Sequence, residues 1–286
     1  MKRIFGIAIA ATMMFSCTND ETSFDTGLNL EDVDIESTAE SLFDDIDNTA
    51  DEALSLSFEA NGRFGDRNIP ECAEVTHDEA AGMITIDFGE GCEGKNGVVK
   101  SGQILINYSG DRTTPGSFKT VTFNNFFVDG VQVEGTRTWE NITESETSNP
   151  TYSITLSGGK ITFEDGSTMT RDAAHVKTLF VDESDNTLNE STLYGSASGI
   201  NLEGLSYSHA IDELTPLLFK HSCRIERIFA PVSGIIVINV EGESEKTVDF
   251  GDGSCDNIAT VTQDGVSETK EINAKRKRRG VARRRG

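Results

Sequence analysis

Asp249, Asp252, Asp256 and Asn257 set oxygen-bearing side chains at short intervals along a glycine-rich stretch, and Asp182, Glu183, Asp185 and Asn186 do so again. Clustered hard oxygen donors on turns are the ligand type that Ca2+ selects. A calcium-stabilised module held by Asp249, Asp252 and Asp256 is therefore one expectation. Neither cluster has the EF-hand pattern, and Asp-Gly pairs also build ordinary hairpin turns, because both residues tolerate positive φ. His77, His175, His209 and His221 fall at no metal-binding spacing, and the chain has no Gly-x-Ser-x-Gly elbow, His-Glu-x-x-His helix or phosphate-binding glycine loop. Asp87-Phe88-Gly89 and Asp249-Phe250-Gly251 lack the glycine-rich loop, strand lysine and His-Arg-Asp loop that would make them kinase motifs. A glycosidase needs two carboxylates across a cleft, and 48 acidic residues make closeness in sequence uninformative. No catalytic residue is nominated and no enzymatic activity is expected. Trp139 and the sixteen phenylalanines read as core; an exposed Trp139 beside Tyr152 would instead make a sugar-stacking platform.

Cysteine use fits an oxidising compartment. Apart from Cys17 there are four, Cys72, Cys92, Cys223 and Cys255, at separations that do not suit zinc. Four cysteines allow three pairings, and the local one, Cys72 with Cys92 and Cys223 with Cys255, is expected as a structural framework. The second cysteine of each pair ends a similar segment, Ile84 to Cys92 and Lys246 to Cys255. Each reads as a strand running into an acidic, glycine-rich turn pinned by a disulfide.

The elements around these residues begin with an export signal. Lys2 and Arg3 precede an apolar run, Ile4 to Phe15, and Ser16 precedes Cys17. The run is too short to span a hydrocarbon core of about 30 Å. Met14, three residues before Cys17, disfavours ordinary signal-peptidase cleavage, so residues 1–17 read as a lipoprotein signal with Cys17 as the lipidation site. Membrane attachment through lipid on Cys17 and an address in the cell envelope, on an outer membrane, follow. Residues 18–35 read as a flexible acidic tether and residues 275–286 as a basic, disordered tail. The chain carries 25 basic and 48 acidic residues; setting aside two basic residues in the leader and eight in the tail leaves 15 basic against 48 acidic between them. Such a body repels nucleic-acid phosphates, so no nucleic acid is expected as a partner.

Over residues 36–60, Leu42, Phe43, Ile46, Ala50, Ala53 and Leu54 recur at helical spacing. Glu40, Asp44, Asp45, Asp51 and Glu52 are expected on the opposite, solvent side of a helix docked on the domain. Residues 61–274 read as a single β-rich domain. Ile84, Ile86 and Phe88 share one strand face; Ile104, Ile106 and Tyr108 share another. Hairpins are expected at Asp129-Gly130, Gly158-Gly159, Asp165-Gly166 and Asp264-Gly265. The fold class is mainly β: an antiparallel meander forming a curved sheet, sandwich or barrel, with one N-terminal amphipathic helix.

Ser101 to Tyr108, Pro115 to Phe123, Val133 to Thr138, Pro231 to Gly234 and Asp249 to Gly253 resemble corresponding segments in a family of uncharacterised Bacteroidota-type lipoproteins, over residues 40–272. The resemblance implies an origin and no activity, ligand or site residue. Asp20 and Glu21, soon after Cys17, are similar to the signal that sends such lipoproteins to the cell surface. A non-enzymatic envelope binding or structural module is the expected function, its partner an envelope component or protein. A calcium-stabilised adhesion or glycan-binding module and an envelope glycan hydrolase are the alternatives.

Overall fold

A computed structural model describes residues 31–58, 68–94, 97–145, 149–181, 188–226 and 228–272. Cys17 with its leader, the basic tail and the acidic group at residues 182–186 lie outside them. Helix α1, Glu31–Phe58, is followed by fifteen strands. These are β1 Glu74–Asp78, β2 Met83–Asp87, β3 Cys92–Glu93, β4 Val99–Tyr108, β5 Phe118–Val128, β6 Val131–Asn141, β7 Thr151–Thr162 and β8 Thr168–Val181. Then come β9 Leu188–Ile200, β10 Ser206–Ile211, β11 Leu217–Lys220, β12 Ser233–Val240, β13 Lys246–Asp252, β14 Ile258–Gln263 and β15 Val266–Glu271.

All fifteen belong to one antiparallel sheet that follows chain order from β1 to β15, with β3 beside β4. β10 and β11 together fill the place between β9 and β12, as one strand interrupted at residues 212–216. An open sheet of more than about ten strands curls rather than staying flat. Four of its register shifts fall at glycines with positive φ, Gly102, Gly135, Gly158 and Gly234, where bulges bend the strands. Gly158-Gly159 is thus a bulge inside β7 and not the expected hairpin. The other three Asp-Gly sites are turns, and Asp129 and Asp264 carry the positive φ that a tight two-residue hairpin needs.

The inner face of the sheet buries alternate residues against α1. Phe43, Ile46, Ala50 and Ala53 are fully buried with Ile84, Ile86, Ile104 and Ile106, as the helical and strand periods require. The helix starts at Glu31, earlier than the apolar stripe indicates, and Val33 seats its first turns in a second cluster with Tyr152, Ile154 and Val248. Both local disulfides are present, Cys72–Cys92 and Cys223–Cys255. The two Asp-Phe-Gly segments are also alike in detail: Asp87 accepts from the Gly89 amide, Asp249 from the Gly251 amide, and Phe88 and Phe250 are buried.

Candidate functional site

The acidic side of α1 does not face solvent as expected. Glu40 meets Arg171 of β8 at 2.8 Å, Asp47 meets Arg137 of β6 at 2.7 Å and Asp51 meets Lys119 of β5 at 2.6 Å. Seven helical residues rise about 10.5 Å and two strand spacings amount to about 9.6 Å, so a helix lying across the strands brings carboxylates and bases into step. Asp45 pairs with Lys100 of β4 at 3.2 Å, and Thr49 accepts from the same ammonium. Lys100, Lys119, Arg137 and Arg171 are all buried. Unpaired, such cations would be costly in an apolar interior, so the helix supplies their counterions.

On one flank of α1 the sheet stands away and leaves a cleft of about 240 Å³. Asp44, Asp47 and Asp51, one helical face at intervals of three and four, form one wall. Lys119, Trp139, Tyr152, Lys177 of β8 and Glu190 of β9 line the cleft as well. The far wall is the segment from His221 to Ala230, which begins with a short 3-10 helix, His221–Glu226. Cys223 ties this wall to Cys255, and the Lys220 ammonium donates to the Gly253 carbonyl at 2.8 Å.

Several polar groups here have no protein partner among the described residues. Asp47 is 4% exposed; Arg137 donates to its Oδ2, while Oδ1 is buried and unpaired. Ser117 Oγ and the Trp139 indole N–H, both at the cleft, are buried and unpaired as well. Lys177 faces no carboxylate within ion-pair distance; its ammonium lies 5.8 Å from the Trp139 ring centre and 5.9 Å from that of Phe219. Asp44 is exposed and lines the cleft. Desolvation by the protein around it, then the Glu40 charge, pushes its carboxyl up to about 6 against the opposing pull of Lys177 and Arg137. Ionisable groups of both signs, Asp44 and Lys177 among them, converge on this concave site, the form of a small-ligand pocket.

Trp139 is half-buried beside Tyr152, with ring centres 5.8 Å apart. It lines the cleft and is not simply core, yet Lys119 lies 5.0 Å from its ring centre and Lys177 also approaches it, so its faces are not left free for sugar stacking. The expected calcium ligands are not brought together. Asp249, Asp252 and Asp256 each accept from a backbone amide two residues ahead, the local turn chemistry of aspartate. Among the described residues no group of three or more His, Cys, Asp or Glu side chains could hold a metal ion.

A second polar pair escaped the spacing argument. His175 of β8 and His209 of β10 are buried, with Nε2 atoms 3.3 Å apart and rings nearly parallel. Gly195 of the intervening β9 lies opposite His175 with φ +129°, and a Cβ there would come within 2.7 Å of the His175 Cα. Its missing side chain lets the rings meet across a strand. Burial pushes the His175 imidazole down to about 4, only partly countered by Glu40.

No protein-family model matches the chain, and no curated protein or solved structure is significantly similar to it.

Proposed function

We propose that the chain is a non-enzymatic binding module of the bacterial cell envelope, exported and anchored through lipid on Cys17, that holds a small ligand in the cleft beside α1. The observation that carries the binding reading is the set Asp44, Lys177 and Arg224, ionisable side chains that line one concave site with no side-chain partner among the described residues. Charged groups of both signs converging on such a site supply the donors and acceptors that a polar ligand needs. The volume, below the roughly 300–1,000 Å³ of drug-sized pockets, suits a small molecule and not a polymer. The two disulfides and the leader favour the envelope address. Likeness to the Bacteroidota-type lipoproteins is part of the same proposal.

Trp139 is the single tryptophan, so its emission reports on the cleft directly. Titrating the full chain with pools of amino acids, monosaccharides and nucleotides is expected to change that emission saturably with at least one pool. A flat response to every pool, with no change in melting temperature, contradicts the binding reading. The anchor is tested separately: Cys17→Ala should abolish incorporation of labelled palmitate and release the chain from membranes, and retained labelling rejects Cys17 as the site.

A further inference from the structure

Charges of both signs line the cleft. Of the α1 carboxylates, Asp51 is neutralised by Lys119 and Arg112 and Asp47 by Arg137, whereas Asp44 is exposed with no ion-pair partner among the described residues. Lys177 lies near two aromatic rings with no carboxylate within ion-pair distance among the described residues, Arg224 of the 3-10 helix has no side-chain partner among them, and Glu190 of β9 lines the cleft as well. We propose that the cleft binds a small zwitterion, a free amino acid or dipeptide, with its ammonium on Asp44 and its carboxylate on Lys177 and Arg224.

This rests on the reading of the cleft as a binding site and adds the class of ligand. Each sign of charge offers what one end of a zwitterion needs: carboxylate oxygens accept from an ammonium, and an ammonium and a guanidinium donate to a carboxylate. A singly charged ligand would leave the groups of one sign unmatched and so make fewer charge-assisted contacts. A neutral sugar would leave both unmatched and would compete with Lys119 and Lys177 for the face of Trp139. Tyr152, Phe219 and Phe229 offer apolar contact to the body of the ligand. The tether Cys223–Cys255 fixes the segment that carries Arg224, so that anion-binding group is held in place before the ligand arrives.

The test is calorimetric titration of the full chain with the twenty free L-amino acids, a set of dipeptides, and the N-acetyl and methyl-ester forms of whichever binds. At least one zwitterion should bind, its N-acetyl form and its ester should each bind at least tenfold more weakly, and Lys177→Met and Asp44→Asn should each weaken the parent at least tenfold. Preference for amino acids over dipeptides, or the reverse, decides between the two sources. Both substitutions preserve size, and a retained melting transition shows that the variants are folded. Equal affinity for parent and N-acetyl form overturns the zwitterion, as does tight binding of glucose or N-acetylglucosamine with no response to amino acids; in either case sensitivity to Lys177→Met preserves the cleft as the site. Silence from every ligand in both heat and Trp139 emission overturns the two readings together.

Discussion

The two flanks of α1 carry the same side-chain chemistry and use it differently. On one flank Asp45 and Thr49 close on Lys100, and Glu52 accepts from the Asn68 amide, so the acidic groups are bound into the structure. On the other, Asp47 is buried against Arg137, while Asp44 is exposed, has no partner among the described residues and lines a cleft. A carboxylate on this helix is therefore structural when a strand base reaches it and available for binding when the sheet stands back.

The largest effect is expected where the two roles meet. Arg137→Met removes the partner of a buried carboxylate and should cost about 3–5 kcal/mol of stability, read as a lower midpoint of chemical denaturation. An effect within error would mean that Asp47 is solvated and that the structural side of the comparison is drawn wrongly.

The disulfides repeat the comparison with the same Asp-Phe-Gly turn in each copy. Replacing either pair by serine should cost about 3 kcal/mol, since each closes a loop of 20 or 32 residues. Only loss of Cys223–Cys255 frees a wall of the cleft, so that variant alone should also shift the Trp139 emission maximum. Equal emission in both variants would separate the tether from the cleft.

Acid should separate two titrating groups, His175 and Asp44. His175 has its pKa lowered to about 4, so its neutral form is favoured in the folded chain and its contribution is lost as pH falls from its ordinary value of 6.5 towards 4. The loss is about 3 kcal/mol at most. Replacing His175 by Gln should flatten stability over that range. Asp44, raised to about 6, has the opposite sense: its neutral form is favoured, and stability declines as pH rises from 3.8 through 6. Asp44→Asn should therefore raise the melting temperature at pH 7 and leave it unchanged at pH 3, the mark of a group kept at some cost to stability. A fall at pH 7 would place Asp44 among the structural carboxylates. The smallest effect concerns Asp249, Asp252 and Asp256, whose carboxylates already serve local turns; calcium and chelator should give the same melting temperature within a degree or so.

Much of the fold is legible in the residues because burial imposes its own period. The spacing of Phe43, Ile46, Ala50 and Ala53 identifies a docked helix, and alternation through Ile84, Ile86 and Phe88 identifies a half-buried strand. Local cysteine pairing follows from short separations. The cleft was less legible, since its charges come from α1, the connection between β4 and β5, β5, β8, β9, β11 and the 3-10 helix beyond it, and no short motif joins them. One signal was present: Lys119 shares strand parity with Val121, Arg137 with Trp139, and Arg171, His175 and Lys177 with Met169 and Ala173. Bases on a core-facing parity demand counterions, and the acids of α1 are the nearest supply. The contact of His175 with His209 depends on strand order and on the gap at Gly195, neither of which can be read from histidine spacing.

The unpaired indole N–H of the single tryptophan gives the most direct test of the difference between the flanks. Its nuclear magnetic resonance signal should move as the full chain is titrated with a binding amino acid, should stop responding at the same concentrations in Lys177→Met, and should respond normally in Glu52→Gln on the closed flank. An indole signal that stays fixed while the ligand binds, or one that responds identically in both variants, would contradict the assignment of the open flank to ligand binding.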